Sequence, residues 1–399
     1  MTQALRRLAT RWEWLLALYT LASFIEAVFW GQMSAFTPLY LPHLGVAAGQ
    51  VAAWTGLISA VAGAAGIPFL PFWGALADRY ARQPIIVRSF VAHMIAGLLA
   101  IAAGNVWMFL LARAVMTLSL GNSGLMMTTL SEHAPQQRVG MAFAVMNSAA
   151  PIGAFVGPLV GGPIVDHLGF RALMLVAVAM FVVIILALSF GYHDSFRGQN
   201  RGPLLEMAAE SVRLIWGTPR LRALFGALFV LFAGWIMAIT FVPVAITALY
   251  TGSQPGSAVG LILGAGGVVA FLVSPVLGGL ADRFGIWRVL LLGSIVAVLL
   301  WPLPALAKDL TTLGILYALV NGVTSGVFAI SFTALSASAS SEMRGRVMSF
   351  AYLPVNLGSM VGPAIGAVVT RSTIFAVFPA AAGMMALGVV MLWVASRTK

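Results

Sequence analysis

Residues 74–84 read "GALADRYARQP", and residues 278–284 read "GGLADRF". The two stretches lie 204 positions apart in a chain of 399 residues. A second pair keeps almost the same interval: "GAFVGPLVGG" begins at Gly153 and "GSMVGPAIG" at Gly358, an offset of 205. Two different motifs recurring at one spacing imply that the chain is built from two copies of one unit, running in the same direction.

What surrounds the motifs fixes the solvent of each copy. Hydrophobic residues make up 61% of the chain and charged residues 8%, whereas a soluble domain carries about 25% charged residues. Mean hydropathy is +0.99. Windows of about 20 apolar residues give twelve candidate spans: 14–41, 51–74, 85–104, 106–130, 140–162, 170–191, 221–250, 257–280, 288–305, 309–337, 346–368 and 372–396. The expected fold is an all-α membrane protein of twelve transmembrane helices in two pseudo-symmetric six-helix bundles. Residues 1–191 form the first bundle, 192–220 a polar linker and 221–399 the second. In the linker, Leu204, Leu205, Ala208, Val212 and Ile215 recur at helical spacing, which fits a short amphipathic helix on the membrane face. The alternative is a linker without regular structure.

Charge orients the chain. With the N-terminus inside, 18 of the 22 Lys and Arg residues fall in inner segments, three outside, and Arg113 within a span. The positive-inside rule then puts both termini in the cytoplasm. The net charge of +11 is spread thinly over short loops, which argues against nucleic acid as a partner. No cysteine is present, so thiol chemistry is excluded. The first span follows "MTQALRRLATRWEW" without an A-x-A-like cleavage site, and reads as a retained helix. Parallel six-span repeats are the pattern of secondary transporters that rock around a midplane site. No G-x-x-x-x-G-K-[ST] loop is present. The chain is therefore not expected to be an enzyme, to have catalytic or metal-ligating residues or to need a cofactor; the proton gradient would drive it.

On these motifs the chain resembles the major facilitator superfamily. The loop at 74–84 is similar to the family signature between helices 2 and 3. "GAFVGPLVGGP" (153–163) is similar to the helix-5 motif of the twelve-helix drug/proton antiporter branch, the multidrug exporters. Arg113 in "LLARAVMTLSLG" sits where that branch carries a helix-4 arginine. The chain departs from the pattern at Ala81, Gln83, Thr117 and Ile286. The resemblance implies a proton-coupled exporter of lipophilic, often cationic, compounds in a plasma membrane, the bacterial inner membrane, acting as a monomer. Its partners would be the lipid bilayer, protons and small lipophilic substrates. The rivals are a transporter of a polar metabolite such as a sugar or organic acid, a lipid or lysolipid translocator, and a membrane-embedded sensor.

The motifs suggest candidate residues. Gly74 permits close backbone approach. Asp78 can reach the N-terminus of a neighbouring helix, where the dipole favours an anion; the resemblance implies helix 11. Arg79 or Arg82 could pair with Glu132, and Asp282 and Arg283 form the second copy of this cytoplasmic gate. The bland reading is that these charges only hold a tight loop inside. Gly153, Gly157 and Gly161 share a face, and Pro158 tends to kink the helix. With Gly362 and Pro363 in the second copy, they suggest that the two motifs face each other, or that they serve ordinary packing.

One acid lies deep in a span: Glu26, in "LYTLASFIEAVFWGQM" (18–33). A charge at the bilayer centre costs about 2.5–3.5 kcal/mol on insertion scales, so it calls for a purpose. Arg113 is the one deep cation, and the two form a candidate pair that could gain and lose a proton, with His93 as a candidate relay. The structural alternatives are a permanently protonated Glu26, a fixed ion pair and a hydrogen-bonding His93. Tyr19, Ser23, Trp30 and Met33 flank Glu26 at helical spacing. They join Asn147, Trp235, Met237, Phe241, Asn321 and Phe332 as candidate cavity residues.

Overall fold

The computed structural model describes residues 12–69, 81–119, 122–191, 213, 216–339, 347 and 350–397. Gly74, Asp78, Arg79 and the amphipathic stretch of the linker lie outside them. Twelve α-helices are labelled here in chain order: α1 (Trp12–Tyr40), α2 (Val51–Gly66), α3 (Arg82–Ala102), α4 (Val106–Met116), α5 (Asn122–His133), α6 (Val139–Gly191), α7 (Pro219–Leu249), α8 (Pro255–Phe284), α9 (Ile286–Leu300), α10 (Leu310–Ala337), α11 (Leu353–Val369) and α12 (Val377–Arg397).

These labels do not coincide with the twelve spans. Ten described helical runs are long and apolar enough to cross a membrane, and Leu353–Val369 is shorter. The fourth span is two helices, because a 3₁₀ turn at Thr117–Ser119 ends α4 before α5 begins. The fifth and sixth are merged in α6, whose 53 residues would measure about 80 Å as one straight helix. Gly169, at φ +82°, breaks it. Glycine alone adopts that conformation without strain, so the chain reverses there.

The repeat seen in the sequence is built into the packing. Asn105 caps α4 by accepting the Met108 N–H at 3.0 Å, and Asp309, 204 positions later, caps α10 through the Thr312 N–H at 2.9 Å. Asp309 also accepts the Thr312 hydroxyl at 2.7 Å. These bonds hold the Asp309 carboxyl below the usual carboxylate range.

The two glycine motifs do not face each other. Each packs on the first helix of its own half. A Cβ at Gly153 would stand 2.6 Å from the Phe24 carbonyl oxygen, and one at Gly157 2.7 Å from that of Val28. Gly161 meets the Phe36 ring. In the second copy, Gly358 and Gly362 meet the backbone of Ala233, and Gly366 the ring of Phe241. The motif therefore buries α6 on α1 and α11 on α7, where backbone contact leaves no room for a side chain.

The halves meet through other glycines. α2 lies on α11 and α8 on α6. A Cβ at Gly56 would lie 2.6 Å from the Pro363 carbonyl oxygen, and Gly260, 204 positions on, meets that of Pro158. Gly63 touches Met360, and Gly267 meets Phe155. Among the described residues, these approaches all fall between mid-bundle and the end carrying the turns at 41–50, 250–254 and 370–376. Toward the opposite end of α8, Gly278 and Gly279 have nothing within 4 Å. Among the described residues, close glycine contact between the halves is therefore found toward the first, closed end.

Candidate functional site

Between the halves lies a cavity of about 360 Å³. Ser23, Glu26 and Trp30 of α1, Ser123 of α5, Asn147 of α6 and Tyr352 at the head of α11 form its principal walls. Among the described residues, Tyr352 is the one lining residue from the second repeat.

Glu26 sits in this wall, and its first partner is not Arg113. Asn122, 2% exposed at the start of α5, donates Nδ2–H to Glu26 Oε2 at 2.7 Å. Ser123 Oγ donates to Asn122 Oδ1 at 3.3 Å, which leaves the amide nitrogen for the carboxylate. His93, fully buried in α3, brings Nε2 to 3.9 Å from Glu26 Oε1. Its ring stacks on Phe181 (5.3 Å between centroids) and meets Phe29 edge-on. Neither ring nitrogen reaches a partner at full hydrogen-bonding geometry; the polar groups beside it are the Glu26 carboxylate and the Ser89 backbone.

Arg113 is buried one layer away. Its Nη1 lies 3.6 Å from Met116 Sδ, and its guanidinium is 5.9 Å from the centre of the Trp30 ring. Its Nε has no hydrogen-bond partner, and no described carboxylate lies within 4.0 Å of it. Trp30 thus stands between the cation and the cavity that holds the acid. Depth explains the exchange of partners. Counted at 1.5 Å per residue from the end opposite the closed one, Glu26 is about 21 Å along α1 and Asn122 about 16 Å along α5. Arg113 lies higher still, beyond the 3₁₀ turn.

Of the candidate cavity residues, Ser23, Trp30 and Asn147 line the cavity. The others do not, because from Ser23 to Gly31 the cavity spans only about 12 Å of α1. Tyr19 and Met33 fall beyond its two ends and are fully buried. Met237 and Phe241 are buried against the glycines of α11. Asn321 donates to the Gly266 carbonyl at 3.1 Å, tying α10 to α8. Trp235 packs on Phe232 and Phe328. Phe332 stands 4.8 Å from the Tyr352 ring, one aromatic removed from the cavity.

At the end opposite the closed one, Arg82 and Glu132 form a two-pronged ion pair, with Nη1–Oε2 at 2.6 Å and Nη2–Oε1 at 2.9 Å. Both belong to the first half, so the pair ties α3 to α5 and does not bridge the halves. Beside it, Gln83 donates to the Leu188 and Ser189 carbonyls at the end of α6, a use for the amide where the family loop carries a cation. In the second half, Asp282 and Arg283 are exposed. Arg82 is 7% exposed at its side chain and Glu132 47%. A double-mutant cycle with Arg82→Ala and Glu132→Ala should give a coupling of about 1 kcal/mol, the upper end for a partly exposed pair. It is read from thermal midpoints in detergent, and additive effects would contradict it.

Sequence reasoning did not select Asn122, Ser123 or Tyr352, nor the glycines between the halves. Asn122 carried a signal, being an amide in an apolar run. Gly56 and Gly260 carried one too, as a pair at the repeat interval.

Comparisons with known proteins agree with this architecture. The family model for the Major Facilitator Superfamily matches residues 16–306 and, in a second match, 224–399. The multidrug resistance protein MdtG of Citrobacter koseri is 28% identical over 397 residues, covering 97% of this chain and 96% of its own. That of Klebsiella pneumoniae is 28% identical over 383 residues, covering 94% and 91%. Among solved structures, the nucleoside transporter NupG superposes with a TM-score of 0.76 at 16% identity, covering 96% of this chain and 100% of that one. A bacterial homolog of the human lysosomal transporter Spinster, inward-facing and unoccupied, gives 0.72 at 16% identity, covering 96% and 95%. With its repeat, its multi-pass bundle and a family match running almost from end to end, the chain belongs to the major facilitator superfamily of membrane transporters.

Proposed function

We propose that the protein is a proton-coupled exporter of lipophilic, often cationic, compounds, working by alternating access. The observation that carries this reading is the placement of Glu26. It is an acid in the wall of a central cavity, held by Asn122 on one oxygen and faced by His93 on the other. A carboxylate so placed can bind a proton or a cation, but not both at full strength, because each neutralises the charge that attracts the other. Trp30 and Tyr352 supply flat apolar faces beside it, which suit a lipophilic cation. The curated relatives named multidrug resistance protein agree with such cargo.

The fuller reading has twelve spans, counting α4 with α5 as one and α6 as two. Both termini are cytoplasmic and the protein sits as a monomer in a bacterial inner membrane. The positive-inside assignment makes the end opposite the closed one cytoplasmic. The energy comes from the proton gradient, without a cofactor. Arg113 favours a second reading: a buried guanidinium lacking a carboxylate partner among the described residues suits a cargo bearing an anionic group.

The test is proton release. Detergent-solubilised protein in weak buffer receives tetraphenylphosphonium, and the pH is followed. Release in the wild type and none in Glu26→Gln supports the antiporter. No release from either, with binding intact, refutes it. Asn122→Leu removes the bond that holds the carboxylate. A hydrogen bond to a charged group is worth about 1.5–3 kcal/mol, so proton-driven transport should fall about tenfold or more while the fold, read by the thermal midpoint, is kept. Unchanged transport would show that the amide is dispensable.

A further inference from the structure

The cavity does not use Asp166, which lies outside the repeated motifs. It lies near the closed end of the first stretch of α6, three residues before Gly169. Its Oδ1 accepts the Gly256 N–H at 2.7 Å. Its Oδ2 accepts the Ser257 N–H at 2.7 Å and the Ser257 hydroxyl at 2.6 Å. Gly256 and Ser257 open α8, which belongs to the other half. The first N–H groups of a helix have no partner within it, and the dipole there favours an anion. One carboxylate from the first half therefore caps a helix of the second.

The approach is as close as backbones allow. A Cβ at Gly162 would stand 2.5 Å from the Gly256 carbonyl oxygen, and one at Gly256 would stand 2.8 Å from Asp166 Oδ1. The repeat does not explain the contact. At the offset of 205, the counterpart of Asp166 is Arg371, a cation, exposed at the end of α11. A guanidinium cannot accept from N–H groups, so the α2–α11 seam has no matching cap from that position.

We propose that Asp166 is the latch of the closed end: the residue that holds α6 to the N-terminus of α8 in this conformation and lets go when the protein opens there. The inference rests on alternating access, but not on proton coupling or on the identity of the cargo. Opening exchanges three charge-assisted bonds for water, and the carboxylate thereby weights the balance between the two conformations.

The chain has no cysteine, so introduced pairs are labelled uniquely. Gln50→Cys with Ser372→Cys reports the closed end across the other seam, away from the latch. Gln136→Cys with Arg288→Cys reports the opposite end. Spin-label distances are measured for the parent, Asp166→Asn and Asp166→Ala, in detergent and in nanodiscs. Hydrogen bonds to charged groups imply that losing two or three of them raises the fraction open at the Gln50–Ser372 end about tenfold, with a matching rise in the short-distance fraction at the other end. Ser257→Ala, which removes only the hydroxyl bond, should give a smaller shift in the same direction and serves if the Asp166 variants do not fold. A parent with two populations whose ratio is unchanged in all the variants overturns the latch while leaving alternating access standing. A parent that never opens at that end, at any pH or with tetraphenylphosphonium, overturns both.

Discussion

Glu26→Gln should end uphill export while leaving cargo binding and downhill exchange largely intact. Glutamine keeps the volume of the side chain, and its carbonyl oxygen can still accept the bond that Asn122 donates at 2.7 Å. The wall of the cavity is therefore preserved, and what is lost is the ability to carry a proton. In inside-out vesicles with a gradient of one pH unit, exchange of one proton per cargo sustains about tenfold accumulation, since one unit is worth 1.36 kcal/mol. The variant should fall to a ratio of about one, with cargo-for-cargo exchange still measurable. A variant that still concentrates cargo in a pH-dependent way would contradict the coupling assigned to this side chain.

The second large effect is expected at Gly260→Val. Gly260 lies under the Pro158 carbonyl, closer than any real Cβ could stand, and the opposing atoms are backbone that cannot swing aside. Overpacking usually costs about 1–3 kcal/mol. Here relief requires α8 and α6 to part, which opens the closed end. Export should drop about tenfold or more, since 1.4 kcal/mol is a factor of ten, and the thermal midpoint should fall by several degrees. Gly264→Ala is the comparison: a Cβ there would stand 3.2 Å from Leu159 Cβ, so the helices need shift by only a few tenths of an ångström. It should transport nearly as the parent does. Full activity in Gly260→Val would show that the seam tolerates separation and is not a close-packed contact of the working cycle.

The bundle was legible because lipid imposes one rule on every span: an apolar run with its backbone bonds satisfied internally. The repeat was legible for a similar reason, since an interval near 204 is preserved in loops, caps and seams alike. The site was legible only in its chemistry. Glu26 stands out in any reading as a charge in an apolar run, and Ser23 and Trp30 follow from its helical neighbours. Its partner depended on where the fourth span breaks, and a 3₁₀ turn at Thr117–Ser119 is not written in apolar periodicity. An unbroken helix would put Asn122, nine residues on, about 180° round from Arg113. The pairing of the glycine motifs failed for another reason. A small-residue face announces close packing but not the neighbour, and here the neighbours were α1 and α7, within each half.

The lining of the cavity is lopsided. Among the described residues, Ser23, Glu26, Trp30, Ser123 and Asn147 come from one half, and Tyr352 from the other. On the proposed function, cargo gripped this way would be a passenger of the first bundle. The second bundle would then act as a sliding door, and a change in the door alone would alter timing before it altered taste. Diversification of the compounds carried can then proceed by substitution in one repeat, while the other is kept for hinge and seal.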